Sequence, residues 1–198
     1  MNTKELLRDL KASALITLAL LIVLCGIYPL VVWGIAQVAF PSQANGSLVE
    51  HQGKLAGSRL LAQAFSGDKY FHPRPSAAGD TGYDGTSSGG SNLGPLSQKL
   101  LDQVKERVEK YRAENNLAAG TLVPADAVTA SASGLDPHIS LKNAEIQTGR
   151  VAKARNLSDR QIKKLIEEHT EGPDWGLFGE PGVNVLRLNL ALDKLTAK

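Results

Sequence analysis

The hydrophobic positions of this chain fall into two clearly different patterns. Residues 12–40 form one uncharged, strongly apolar stretch, and no other part of the chain resembles it. At about 1.5 Å rise per residue, a helix of this length exceeds the roughly 30 Å hydrocarbon core of a bilayer. The pattern therefore predicts a transmembrane helix over residues 12–40, preceded by a short flank at residues 1–11 and followed by one water-soluble domain at residues 41–198.

The first part of the soluble domain is dominated by a long polar segment. Weak alternation predicts a short strand over residues 58–64, and residues 67–95 are then rich in Gly, Ser, Pro and Asp. Glycine loosens the backbone and proline removes hydrogen-bond donors, so we expect no regular structure there. Tyr70, Phe71 and Tyr83 argue against disorder, because disordered segments contain few aromatic residues.

The second part of the domain has the spacing of amphipathic helices and short strands. Apolar residues recur at helical intervals over residues 100–111, 139–155 and 158–172. The last of these begins with a capping box at Ser158 and Gln161. Alternation predicts strands over residues 125–132 and 183–192. We therefore expect an α+β domain with a small sheet and about three helices.

The charges beside the apolar stretch predict its orientation. Lys4, Arg8 and Lys11 precede it, and the next basic residue is Lys54. Because Lys and Arg are retained in the cytoplasm, we expect the amino terminus inside and the soluble domain outside. A cleaved signal peptide is the alternative, but its apolar core spans only about 7–15 residues.

Small residues and a proline interrupt the predicted membrane helix. Gly26 and Gly34 would let a neighbouring helix approach closely, and Pro29 would kink the helix. Ordinary tolerance of Gly and Pro in membrane helices is the simpler alternative. We expect these three residues to contact a partner helix.

Composition excludes several functions for the soluble domain. The net charge of the whole chain is +2, and the domain has no basic face for nucleic acid. Cys25 is the single cysteine and lies in the apolar stretch, which excludes an intrachain disulfide and a cysteine-based metal site.

The sequence contains no convincing catalytic or metal-binding motif. The four histidines have no metal-ligand spacing, and His72 has no second titratable partner close in sequence. Residues 80–82 match the local signature of aspartic proteases, but that activity needs two such carboxylates surrounded by apolar strands. We expect no catalytic residues, no cofactor-binding residues and no metal ligands.

Three separated motifs carry a resemblance that covers nearly the whole chain. They are the run YFHPRPSA at residues 70–77 with YD at 83–84 and SGGSNLGP at 88–95; VTASASGLDPHIS at residues 128–140 with Gln147 and RVA at 150–152; and residues 185–193. Together they resemble the C subunit of the bacterial potassium-transporting P-type ATPase, the Kdp complex.

The resemblance implies a non-catalytic accessory subunit in the bacterial inner membrane, needed for assembly and stabilisation of the pump. Its partners would be a channel-like potassium-binding subunit, an ATP-hydrolysing P-type subunit and a small single-helix subunit. ATP, Mg and K would be ligands of those partners and not of this chain. The helix would pack on the channel-like subunit, and the soluble domain would cover that subunit on the outer side.

The same resemblance makes two segments of the soluble domain candidates for a scaffold or for partner contact. They are the long loop with Phe71, His72 and Arg74, and the turn with Asp136 and His138. Two alternative functions stay open. One is a catalytic chaperone that raises the ATP affinity of the ATP-hydrolysing subunit, and the other is a free-standing anchored enzyme or ligand-binding domain.

Overall fold

The computed structural model describes residues 2–196, which divide between Leu48 and Val49 into two compact units. The first unit is one apolar helix from Thr3 to Ala39, followed by a short helical turn. This helix is long and apolar enough to cross a membrane by length and composition. It begins inside the predicted polar flank, because the Asn2 and Glu5 side chains form a capping box there.

The long helix has a wide π-helical segment in its middle. It consists of α1 (Thr3–Leu21), the π-helical segment Ile22–Ile27 and α2 (Tyr28–Ala39), and α3 (Pro41–Ala44) follows. The Tyr28 N–H donates to the Val23 carbonyl, five residues earlier. The π-helical segment ends at Ile27, two residues before Pro29. Because proline has no N–H, Pro29 interrupts the regular hydrogen-bond pattern of the helix.

The second unit opens with a hairpin of β1 (Leu48–His51) and β2 (Lys54–Ser58). Its two turn residues, Gln52 and Gly53, both have positive φ, as tight hairpin turns require. A short strand is therefore present within residues 54–65, but its predicted position at residues 58–64 was wrong, because the strand ends at Ser58. Beyond that point the chain bonds elsewhere, with the Ala62 N–H donating to the Leu135 carbonyl.

A small antiparallel sheet lies in the core of this unit. Its strands are β3 (His138–Ser140), β4 (Thr170–Glu171) and β5 (Gly182–Asn184), in the order β3-β5-β4. Ile139 pairs with Val183, and both are buried. The sheet brings residues far apart in sequence to one side of the core.

Helices surround this sheet and supply most of the core. They are α4 (Gln98–Glu114), α5 (Ala125–Val128), α6 (Leu141–Arg155), α7 (Asp159–Glu168) and α8 (Val185–Thr196). The hydrophobic core contains Phe71, Ile139, Val151, Ile162, Ile166, Val183, Leu188 and Leu192. The α+β class with one N-terminal apolar helix is confirmed.

The predicted strands over residues 125–132 and 183–192 are wrong over most of their length, and only residues 183–184 of these two ranges lie in a strand, β5 (Gly182–Asn184). Residues 125–128 form one helical turn, and the Thr129 hydroxyl bonds back to the Ala125 carbonyl. Residues 185–192 belong to α8, where Val185, Leu188 and Leu192 are buried at helical spacing. The predicted end of α7 at Gly172 was also wrong, because Thr170 and Glu171 pair with β5.

Candidate functional site

The predicted polar loop, residues 67–95, contains no helix or strand and is held in place by side chains of the helices. Phe71 is fully buried, and Asn189 of α8 bonds to both of its backbone groups. The Phe71 N–H donates to Asn189 Oδ1 at 2.9 Å, and Asn189 Nδ2 donates to the Phe71 carbonyl at 2.9 Å. One buried amide side chain thus replaces the strand partner that this backbone lacks.

Residues Gln147 and Arg150 of α6 hold the neighbouring part of the loop. The His72 N–H donates to Gln147 Oε1 at 2.7 Å. Arg150 Nη1 donates to the Asp68 and Tyr70 carbonyls, each at 2.9 Å. Arg150 is buried, so these bonds satisfy both the guanidinium and otherwise unpaired carbonyls.

The His72 ring lies at a cavity of about 330 Å³ between the loop and helices α4 and α6. Its Nε2 is 3.0 Å from the Gly67 carbonyl oxygen, and its Nδ1 is 3.5 Å from Glu114 Oε2. Burial and the Arg150 charge lower the pKa of His72, while the Gly67 carbonyl and Glu114 oppose that change. Because both ring nitrogens face groups of this chain, the ring helps to order the loop.

A row of charged side chains connects the loop, the turn and the sheet. It consists of Arg74, Asp136, His138, Glu171 and Arg187, and we call it the charged row. The Arg74 guanidinium is 2.7 Å from Asp136, His138 is 3.0 Å from Glu171, and Arg187 is 2.9 Å from the same carboxylate. The His138 N–H also donates to Asp136 Oδ1 at 3.0 Å.

These interactions change the pKa values of Asp136, His138 and Glu171. Burial raises the pKa of Asp136, but His138 and Arg74 outweigh burial and lower it to about 2. The Asp136 carboxylate raises the pKa of His138, burial opposes this, and Glu171 raises it further. The pattern is that of an ion-pair network, in which each carboxylate is held charged by its neighbours.

The turn around Gly134 packs directly on the loop. Ser76 Oγ donates to the Gly134 carbonyl at 2.6 Å, and the Tyr83 N–H donates to Ser76 Oγ at 2.8 Å. Gly134 has φ +67°, and a Cβ there would lie 2.6 Å from the Gly89 carbonyl oxygen. The close approach of these two segments therefore requires glycine at this position.

The eight candidate residues divide between the two units. Arg74, Asp136 and His138 are brought together in the charged row, and His72 lies on the cavity wall. Phe71 belongs to the core. Gly26, Pro29 and Gly34 lie in the first unit, where the space that a Cβ would take at either glycine is open.

Sequence reasoning did not identify several residues that build this region. Asn189, Glu171 and Arg187 were not singled out, and no role was assigned to Gln147 and Arg150. One signal in the sequence could have identified Asn189. It lies between Leu188 and Leu190, and an amide between two leucines suggests a buried polar side chain. Within residues 2–196, no group of three His, Cys, Asp or Glu side chains is placed to hold a metal ion.

Comparison with known proteins gives one consistent match. The family model described as "K+-transporting ATPase, c chain" matches residues 10–194. The chain is 58% identical over 183 residues to the potassium-transporting ATPase KdpC subunit of Mycobacterium bovis, covering 92% of this chain and 96% of that one. It is 55% identical over 185 residues to the subunit of that name from Nitratidesulfovibrio vulgaris, covering 93% of both. For the Rhodospirillum rubrum subunit the identity is 54% over 190 residues, covering 96% of this chain and 97% of the relative.

Proposed function

The chain belongs to the KdpC family of the potassium-transporting ATPase, and from this premise we propose that it is a non-catalytic accessory subunit of an ATP-driven potassium uptake complex. Its role is to assemble and stabilise the pump. The relatives are named as one subunit of such an ATPase.

One structural observation carries this proposal. The polar side chains that sequence reasoning marked as candidates, His72, Arg74, Asp136 and His138, interact with other groups of this chain. Their bonds hold the long loop and the turn to the core. These side chains thus fix backbone that has no hydrogen bonds from a helix or a sheet. The arrangement supports a braced domain that presents a fixed surface.

We place the subunit in the bacterial inner membrane with the amino terminus inside and the soluble domain outside. The support is the cluster of Lys4, Arg8 and Lys11 before the apolar helix and the lack of Lys or Arg from there to Lys54. In this topology the soluble domain covers the channel-like subunit on the outer side.

The helix packs on the channel-like subunit through its irregular middle. Gly26 and Gly34 offer open space for a neighbouring backbone, and the π-helical segment lies between Leu21 and Tyr28. The ATP-hydrolysing subunit and the small single-helix subunit complete the complex. ATP, Mg and K are ligands of the partners.

The proposal is tested by omitting this chain from the co-expressed complex. An affinity tag on the channel-like subunit reports assembly, and growth at low potassium reports uptake. We expect that the ATP-hydrolysing subunit no longer co-purifies and that growth stops without this chain. A complex that assembles and transports normally without it would overturn the assembly role.

The complex expressed without this chain also tests the alternative role, a chaperone for nucleotide binding. If the complex assembles without this chain and only its KM for ATP rises, the subunit acts as a chaperone for nucleotide binding. A matched control restores the chain on a second plasmid, which must recover assembly and growth. This control separates loss of the subunit from a general expression defect.

A further inference from the structure

The loop between β4 and β5 carries a cluster of exposed apolar side chains, and we call residues 172–181 the apolar tip. The side chains of Trp175, Leu177 and Phe178 are 91%, 81% and 62% exposed. A contiguous apolar patch on a soluble domain marks an interaction surface, because burying such side chains away from water is favourable. Neither the core nor the charged row uses them.

The apolar tip is a closed, hydrogen-bonded turn. The Asp174 N–H donates to the Phe178 carbonyl at 2.8 Å, and the Phe178 N–H donates to the Asp174 carbonyl at 3.0 Å. Trp175 and Gly176 both have positive φ, and the Trp175 and Phe178 rings meet edge to face at 6.1 Å. The tip is therefore shaped before any partner binds, which lowers the entropic cost of docking.

The base of the tip is fixed to the rest of the domain. Glu171, the last residue of β4, accepts hydrogen bonds from Arg187 and interacts with His138 in the charged row. Thr170 and Glu171 also pair with β5. The base of the tip is thus connected to the sheet and to the Asp136 turn.

The charge around the tip distinguishes the possible partners. Asp174 and Glu180 are the charged residues of the apolar tip, whereas the neighbouring Glu168 and Glu171 are paired with Lys164 and Arg187. Asp174 and Glu180, on either side of the apolar side chains, are exposed. An anionic lipid surface would repel this segment, whereas an apolar recess with basic residues at its rim would attract it.

We propose that the apolar tip is the anchor by which the soluble domain docks onto another protein subunit of the complex, in an apolar recess rimmed by Lys or Arg. This inference rests on the proposed function, because it needs a partner protein beside the domain. Trp is among the residue types enriched at binding hot spots. Here Trp175 is held in a preorganised turn, and the acidic Asp174 and Glu180 beside it would complement a basic rim. The tip specifies where the domain makes contact and with what chemistry.

The first experiment places a photoreactive benzophenone amino acid at Leu177 in the full co-expressed complex. We expect illumination to yield a covalent adduct with another protein subunit. The matched control puts the same group at Leu96, which is 94% exposed and lies outside the tip. Adducts with lipid alone, or equal protein adducts from both positions, would overturn the inference.

The second experiment measures dissociation of the chain from the purified complex in detergent. The double substitution Trp175→Ala with Leu177→Ala should speed dissociation at least about tenfold, as expected for hot-spot residues. Leu96→Ala with Leu122→Ala, which removes equally exposed apolar groups, should leave it unchanged. An unchanged rate for the tip variant would contradict the inference.

Charge reversal separates a basic protein rim from an anionic bilayer. Asp174→Lys with Glu180→Lys should weaken docking to a basic rim, whereas it should strengthen adhesion to anionic lipid. A stronger association would therefore overturn the inference. Thermal unfolding of each variant must match the unchanged chain, since these side chains are exposed.

The two proposals fail in different ways. If the unchanged chain does not co-purify with the other subunits, the proposed function is wrong. If it co-purifies while tip variants dissociate normally and give no protein adducts, only the docking inference is wrong.

Discussion

At the residue scale, His138 is held between the carboxylates of Asp136 and Glu171, and this makes its charge a contributor to stability. Asp136 raises the pKa of His138, burial opposes the rise and Glu171 adds to it. Because this pKa is raised above the ordinary 6.5, the protonated ring stabilises the folded chain fully below pH ~6.5. The stabilisation is lost as the pH rises through the pKa that His138 has in the folded chain.

We predict that the stability of the full chain in detergent, measured as its unfolding midpoint, falls as the pH rises above about 6.5. Because the ring is partly exposed, we expect at most about 1 kcal/mol from it. His138→Gln should remove this part of the pH dependence, while His51→Gln, outside the charged row, should retain it. A pH profile identical in the unchanged chain and His138→Gln would contradict the assignment.

The acid side of the profile belongs to Asp136. Burial raises its pKa, but His138 and Arg74 lower it to about 2 from the ordinary 3.8. Its contribution is therefore full above pH ~3.8 and is lost as pH falls toward 2. Asp136→Asn should flatten that acid limb and, by leaving Arg74 without its partner, should destabilise the chain at pH 7 by about 1–3 kcal/mol.

Gly134 provides a second test at the residue scale. Gly134→Ala places a Cβ 2.6 Å from the Gly89 carbonyl oxygen in a backbone with φ +67°. We expect a loss of at least about 2 kcal/mol in the free energy of unfolding, from strain and overpacking together. Gly120→Ala is the matched control, because its φ is +87° and nothing lies within 4 Å of its Cβ. It should cost only the conformational strain of about 1 kcal/mol.

At the element scale, the sequence predicts an element well where the decisive interactions are local. Helix α7 begins where the capping box at Ser158 and Gln161 predicts, because a cap needs only neighbouring residues. Helix α8 was taken for a strand, because alternating Leu186, Leu188 and Leu190 satisfy a period of two as well as part of a helical period. Only the core, which buries Leu188 and leaves Leu190 half-buried, decides between them.

The candidate functional site shows the same difference between local interactions, which the sequence predicts, and long-range ones, which it does not. The Asp136–His138 turn is visible in sequence because its hydrogen bond spans two residues. The partners Glu171 and Arg74 are separated from this turn by 33 and 62 residues, so no local pattern reveals them. The long loop was correctly predicted to lack regular structure, but its bracing by Asn189 and Arg150 depends on the tertiary fold.

The bracing of the loop by α8 is tested with Asn189→Ala. This change leaves the Phe71 N–H and carbonyl buried without a partner, at a cost of about 2–4 kcal/mol. Limited proteolysis within residues 67–95 should become faster, because opening of the loop becomes easier. Asn45→Ala removes an exposed hydrogen-bonding amide and should stay within about 0.5 kcal/mol of the unchanged chain. Equal proteolysis of both variants would contradict the bracing role of Asn189.

At the scale of the whole molecule, the two units differ in where their apolar and polar side chains lie. Beyond its charged first turns, the long helix is apolar and exposed, whereas the second unit uses buried polar side chains to hold a loop that has no helix or strand of its own. The accessory role that we propose requires surfaces that can contact neighbouring subunits, and each unit offers one. The side of the membrane on which the second unit lies then decides which neighbours it can reach.

That side is tested by cysteine labelling of intact cells. In a Cys25→Ser background, Ser87→Cys introduces one thiol at an exposed position of the second unit. We expect a membrane-impermeant thiol reagent to label it without lysis, because Lys and Arg beside an apolar helix favour a cytoplasmic amino terminus. Thr3→Cys in the same background is the matched control and should be labelled only after lysis.

The two outcomes lead to different mechanisms. Labelling of Ser87→Cys in intact cells excludes direct contact between the second unit and cytoplasmic ATP, so any effect on ATP affinity would have to pass through the membrane as coupling between two states of the complex. Labelling only after lysis would reverse the orientation. It would also place the second unit beside the ATP-hydrolysing subunit, which would make the nucleotide chaperone the better account of its function.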